Sequence, residues 1–182
     1  MPSSERVLAG SIAWEPVGTV YVAASAEGVI EIWLGAPNMT AFIAGVRERI
    51  RMMVVEEREF AADAAPILDK ALAQLGEYFA GTRRAFDVPI DYRAMSDFQR
   101  RVYRAIIGIP AGRIESYNDI AHRLGDPKTI RAVGGALGRN PIPIIIPCHR
   151  IIGSDGTMIG YSGGGGVETK RLLLKMEGAL LI

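Results

Sequence analysis

The sequence predicts an α+β protein in two parts. Residues 1–94 read as a small antiparallel sheet with helices, and residues 95–182 as a mostly helical domain with a helix-turn-helix. Three observations carry this. Runs rich in β-branched and aromatic residues fill the first third of the chain, helical spacing with capping signals fills the last half, and the charge divides between the halves. The 182 residues carry 21 Lys and Arg against 20 Asp and Glu, a net charge of +1. Residues 1–94 hold 9 basic and 13 acidic side chains, a balance of −4, whereas residues 95–182 hold 12 and 7, a balance of +5. A polyanion can therefore meet one half and not the other.

In the first half, Val7–Trp14, Val17–Ala24 and Val29–Leu34 are the expected strands. Glu15-Pro16 and Ala26-Glu27-Gly28 interrupt them with residues suited to the turns of a meander. Thr40–Ile50 has helical spacing through Phe42, Ile43, Val46 and Ile50, and Met52–Val55 reads as a further strand. Pro66–Phe79 is a second helix, with proline in its first turn and Gly81 past its end. Phe86–Arg93 reads as the linker. This half has no histidine, no cysteine and no glycine-rich phosphate loop, so it is expected to be a supporting domain.

The second half opens on Ser96-Asp97-Phe98-Gln99, a capping box, with Phe98, Val102, Ala105, Ile106 and Ile109 on one helical face. Pro110-Ala111-Gly112 ends that helix. Ser116-Tyr117-Asn118-Asp119 starts another in the same way, Gly125-Asp126-Pro127 turns the chain, and a third helix runs from about Lys128 to Leu137. Two short helices about a glycine-containing turn make a helix-turn-helix candidate, a pattern that plain helical bundles share. The Gly134-Gly135 pair costs about 1 kcal/mol per glycine in helix propensity, which implies a close approach by another helix or a ligand. Arg131 and the small Ala132 lie in the first turn of that helix. One long cation beside a small residue suits insertion into a narrow groove, although a solvated arginine and a tight helix contact explain the local sequence as well.

The chemistry concentrates at Cys148, the single cysteine. The stretch 141–147, PIPIIIP, is too proline-rich for a helix interior and delivers the chain to Cys148, followed at once by His149 and Arg150. A thiolate is a nucleophile, and a neighbouring cation is expected to lower the thiol pKa from its free value of ~8.5. A base that takes the proton needs a third group to orient it, and Glu177, near the end of a helix expected over Val167–Glu177, is a candidate. An inert buried cysteine is the alternative. One cysteine allows no internal disulfide, and two histidines without a CxxC pair give no zinc spacing. No apolar run reaches the ~18 residues needed to span a bilayer, and the N-terminus lacks the pattern of a secretory signal. The expectation is a cytoplasmic protein without metal.

The run Phe98–Gly164, with IPAG, SY, RAVGGA, NP and PCHR at fixed separations, resembles the C-terminal domain of O6-alkylguanine-DNA alkyltransferases (methylated-DNA–protein-cysteine methyltransferases). The similarity resumes at KRLLLKMEG, Lys170–Gly178, and covers nearly all of the basic half. The first half fits only loosely. The resemblance implies a ribonuclease H-like N-terminal part and a winged-helix-like C-terminal part. It implies direct, stoichiometric and irreversible transfer of the alkyl group from O6-alkylguanine, and from O4-alkylthymine, to Cys148, after the base is flipped out through the minor groove. It assigns His149, acting through a water, and Glu177 to thiolate formation, Tyr117 to protonation of the departing guanine, and Asn140 to bracing the turn. Arg131 becomes the finger that replaces the extruded base, with Ala132, Tyr117, Lys128 and Gly134 at the DNA. Tyr161, Ser162 and the backbone of Cys148 and Ile151 become the base pocket. No cofactor is needed, the partner is double-stranded DNA containing O6-alkylguanine, no membrane is involved, and a monomer is expected. Between Tyr161 and Lys170 the chain reads SGGGGVET, about two residues longer and richer in glycine than the family pattern, which would widen the pocket for bulkier alkyl groups. An alkyl-DNA binder without transfer, a cysteine hydrolase and a plain helix-turn-helix regulator are the rival readings.

Overall fold

The structure, a computed structural model, describes residues 6–158, 160–161 and 163–179. The chain divides into two compact units, Met1–Ala94 and Met95–Ile182.

The first unit is built on β1 (Arg6–Trp14), β2 (Gly18–Ala24), β3 (Val29–Leu34) and β4 (Met53–Val55), in the order β3-β2-β1-β4. The first three strands form the expected antiparallel meander, but β4 runs parallel to β1, so the sheet is mixed rather than antiparallel throughout. The reason is the connection. Helix α1 (Met39–Ile50) carries the chain from β3 over the sheet and returns it in the same direction, which a tight hairpin cannot do. Asn38 caps α1 by accepting a hydrogen bond from the Ala41 N–H at 2.8 Å. Alternation along β1 serves both faces. Val7 and Ala9 join Phe42, Ile43 and Val46 of α1 in one core. The other face carries helix α2 (Ala65–Phe79), where the bare Gly10 leaves room for Leu68 and Leu72.

The stretch read as a linker is partly sheet. Ile90 bridges to Val29, the Val29 N–H donates to Pro89 O at 2.9 Å, and the Asp91 N–H donates to Val29 O at 3.0 Å. Gly28 permits this approach, because a Cβ there would lie 2.6 Å from the backbone of Ile90 and Asp91.

The second unit contains α3 (Asp97–Ile107), β5 (Glu115–Ser116), α4 (Tyr117–Arg123), α5 (Ile130–Gly138), β6 (Ile151–Ile152) and α6 (Val167–Met176). Capping boxes start α3 at Ser96 and α4 at Ser116, as their sequences predict. Helices α4 and α5, joined through Gly125 and a 3-10 turn at Pro127–Thr129, pack on each other and on α3. The buried Tyr103 hydroxyl of α3 donates to Ala136 O of α5 at 2.8 Å. The two-residue strands β5 and β6 pair in parallel and set the start of α4 beside the chain leaving Cys148. Among the described residues no helix is long and apolar enough to cross a membrane.

Candidate active site

Cys148 begins a 3-10 turn, Cys148–Arg150, in which all three residues are buried. The preceding stretch is a compact buried loop. Ile142, Ile144 and Ile146 are at most 1% exposed, and Ile144 has φ 76°, a left-handed conformation costing a β-branched residue about 1–2 kcal/mol. Asn140 holds this loop from inside. Its Nδ2 donates to Ile146 O at 2.8 Å and to Cys148 Sγ at 3.0 Å, while its Oδ1 accepts the Ile142 N–H at 3.0 Å.

Behind the cysteine lies a buried charged cluster. His149 Nε2 is 2.9 Å from Glu177 Oε1, and Arg150 reaches the same carboxylate through Nε at 2.9 Å and Nη2 at 2.7 Å. Arg150 Nη1 also donates to Ile109 O at 2.5 Å. Burial alone would raise the Glu177 pKa, but hydrogen bonds from His149 and Arg150 outweigh it and hold the carboxyl well below the ordinary range. Burial pushes the His149 pKa down against the pull of Glu177, so the imidazole is neutral. An ionised Glu177 only accepts, so Nε2 carries the histidine proton and Nδ1 the lone pair. That Nδ1 is buried and has no hydrogen-bond partner among the described residues. It is available to take a proton.

The thiol departs from expectation. Burial pushes the Cys148 pKa up, opposed by the Asn140 hydrogen bond and by the positive charge of Lys170. Arg150, two residues along the chain, gives its charge to Glu177 instead, which is why the expected lowering by a chain neighbour does not arise. The cation that acts on the sulfur is Lys170 of α6, only 1% exposed, whose Nζ donates to Ile151 O at 2.5 Å and lies 6.0 Å from the centroid of the Tyr117 ring. Burial lowers its pKa to about 8 against the pull of Cys148. The Tyr117 pKa is raised, by burial first and then by negative charge at Cys148, so its hydroxyl stays protonated.

A cavity of about 590 Å³ opens over the sulfur, lined by Tyr117, Arg131, Cys148 and Tyr161 together with Ile130, Gly134, Leu137, Gly138 and Gly160. Of the residues singled out from sequence, Cys148, Tyr117, Arg131, Gly134 and Tyr161 therefore meet at one surface. Asn140, His149, Glu177 and Ile151 lie buried beneath it. Lys128 and Ala132 are exposed and do not line the cavity. Ser162 lies outside the described residues. Glu177 caps α6 rather than ending it as a helical residue. Lys170 was not anticipated, since a lysine at helical spacing reads as a solvated side chain and nothing local marks it as buried. Ile130 and Gly138 also line the cavity without having been singled out. Among the described residues no group of His, Cys, Asp and Glu could hold a metal ion.

Helix α5 presents Gly134 and Gly138 to this opening. A Cβ on Gly134 would come no nearer than 3.9 Å to Tyr117, and one on Gly138 would meet nothing within 4 Å. Internal packing therefore does not demand these two glycines.

Residues 97–179 match the family described as 6-O-methylguanine DNA methyltransferase, DNA binding domain. A methylated-DNA–protein-cysteine methyltransferase from Mycolicibacterium paratuberculosis is 51% identical over 107 residues, 59% of this chain and 63% of the relative. The match thus spans somewhat under two thirds of that mycobacterial relative. The corresponding protein of Methanosarcina acetivorans is 37% identical over 165 residues, covering 90% of this chain and 94% of the relative. The crystal structure of Mycobacterium tuberculosis OGT in complex with DNA superposes with a TM-score of 0.73 at 35% identity, covering 95% of this chain and 92% of that one.

Proposed function

The chain belongs to the O6-methylguanine-DNA methyltransferase family, and on that premise we propose that it repairs alkylated DNA by moving the alkyl group irreversibly onto Cys148. The observation that carries this is the shared cavity, in which the only thiol and the exposed first turn of α5, with Arg131, face the same space. The substrate is O6-alkylguanine in duplex DNA, with O4-alkylthymine as a second substrate of the same geometry. An alkyl carbon on a stacked base is out of reach, so the nucleotide turns out of the helix into the cavity, at a cost of a few kcal/mol. Arg131 occupies the vacated space from the minor-groove side, with Lys128 and Ala132 against the backbone and Gly134 allowing close approach.

His149 Nδ1 takes the Cys148 proton through one water, and the Glu177 carboxylate stabilises the imidazolium that results. The Asn140 amide and the Lys170 ammonium hold the thiolate. The sulfur forms a bond to the alkyl carbon as the carbon–O6 bond breaks, and Tyr117 gives its proton to the departing guanine. The thioether left on Cys148 is not hydrolysed, so each chain acts once, without a cofactor and as a monomer. Tyr161 and the Cys148 and Ile151 backbones border the base, with Ser162 assigned there on the family pattern. The first unit serves as support.

Mass spectrometry after mixing with a duplex carrying one O6-methylguanine tests this. One methyl group on Cys148, guanine restored, and no gain in Cys148→Ser are expected. Unmodified protein, or many repaired lesions per chain, would overturn it.

A further inference from the structure

Resting on that reading of the site, we propose that Ile130 is an apolar wedge that enters the minor groove beside Arg131 and covers the base step left open by the extruded nucleotide. Among the described residues the exposed large hydrophobics are Met53, Phe60, Ile107 and Ile130, and of these Ile130, 39% exposed, lines the cavity that holds Cys148. The inward face of α5 is complete without it, through the buried Val133, Ala136 and Leu137. Ile130, Gly134 and Gly138 are spaced four residues apart, so they share one face of the helix. Of these three positions Ile130 alone carries a bulky side chain, and unlike Leu137, which also borders the cavity but is buried, it is exposed, at the end of the helix that carries Arg131.

An isoleucine cannot bond a phosphate, and contacts to the DNA backbone come from charged and hydroxyl or amide side chains. A branched apolar side chain instead suits the bared face of an unstacked base, where proteins that bend the minor groove place such residues. Arg131 supplies charge and hydrogen bonds in the gap, and Ile130 keeps water off the neighbouring base pair. The basic second unit supplies the charge complementarity that brings this helix to DNA.

The test compares wild type with Ile130→Ala, Ile130→Leu and Ile130→Lys on one O6-methylguanine strand, used single-stranded and as a duplex with 2-aminopurine next to the lesion. Removing the apolar side chain should slow duplex transfer roughly tenfold more than it slows single-strand transfer, and should reduce the 2-aminopurine fluorescence rise. Ile130→Leu should recover the duplex rate. Ile130→Lys should bind unmodified duplex more tightly yet repair the lesion as slowly as Ile130→Ala. Equal duplex rates for wild type and Ile130→Ala would overturn the proposal. So would an equal loss on single strands, which would put Ile130 in the base pocket, or wild-type repair by Ile130→Lys, which would make it a backbone contact. Failure of wild type to gain a methyl group on either substrate is a different result and would overturn the reading beneath it.

Discussion

His149 Nε2 and Glu177 Oε1 stand 2.9 Å apart in a fully buried setting, and this one contact fixes which histidine nitrogen can accept a proton. Glu177→Gln keeps the shape and removes the charge. Its amide can donate to Nε2, moving the histidine proton to Nδ1. The single-turnover rate of methyl transfer should fall about a hundredfold or more, with the fold retained. A rate within a factor of three of wild type would dismiss His149 as the base.

The same carboxylate links stability to acid. Its folded pKa lies below the unfolded value, so its contribution is present above the unfolded pKa of ~4.3 and is lost as pH falls through the folded value. Thermal melts should show wild type losing its advantage over Glu177→Gln as pH drops below about 4. A gap that does not narrow with pH would contradict the assignment.

Lys170 gives the same sign of slope in a different pH window. Its folded pKa, about 8, lies below the 10.5 of an ordinary lysine, so the folded state gives up its proton first. Stability of wild type relative to Lys170→Met should therefore rise as pH climbs from 8 toward 10. Methyl transfer by Lys170→Met at pH 7 should be slower by about tenfold, since the thiolate loses a buried counter-charge. A stability difference independent of pH would mean that the amine is neutral throughout or water-exposed.

Gly138→Ala should stabilise the unliganded protein by about 0.5–1 kcal/mol, since the added methyl meets no protein atom and the helix gains propensity. The same methyl faces the opening where DNA is proposed to lie, so duplex affinity should fall. Melting temperature and fluorescence anisotropy measure the two effects, and a variant that is stabilised without losing affinity would show that the glycine is not kept for close approach.

The glycine-rich loop before α6 is held by Gly166 N–H to Gly163 O at 3.1 Å and Gly165 N–H to Thr169 Oγ1 at 2.9 Å. Removing one or two of Gly163–Gly166 should slow transfer from O6-benzylguanine more than from O6-methylguanine. Unchanged selectivity would show that loop length does not set the size of adduct accepted.

Legibility in the sequence followed locality. The strands, both capping boxes and the helix pair were visible because each depends on residues within a turn or two of one another. Tyr117, Arg131 and Cys148, which line one cavity, can be singled out because motif spacing carries them. The direction of β4 was not visible, since three residues do not encode whether their neighbour runs parallel. Lys170 was hidden for a similar reason, because its burial depends on where α6 docks, and the effect of Arg150 was misjudged because closeness in sequence says nothing about which carboxylate claims it. In the stretch 86–93 polar, turn-forming residues masked a segment that pairs with β3.

That last pairing governs how the two halves can be dissected. A truncation that starts the second unit at Phe86 would strip the Pro89–Asp91 cover from Val29, at the start of β3, and leave its N–H and C=O groups as a template for other chains. Cutting after Ala94 leaves the first fragment with that pairing intact. The difference should show as precipitation of one fragment and solubility of the other.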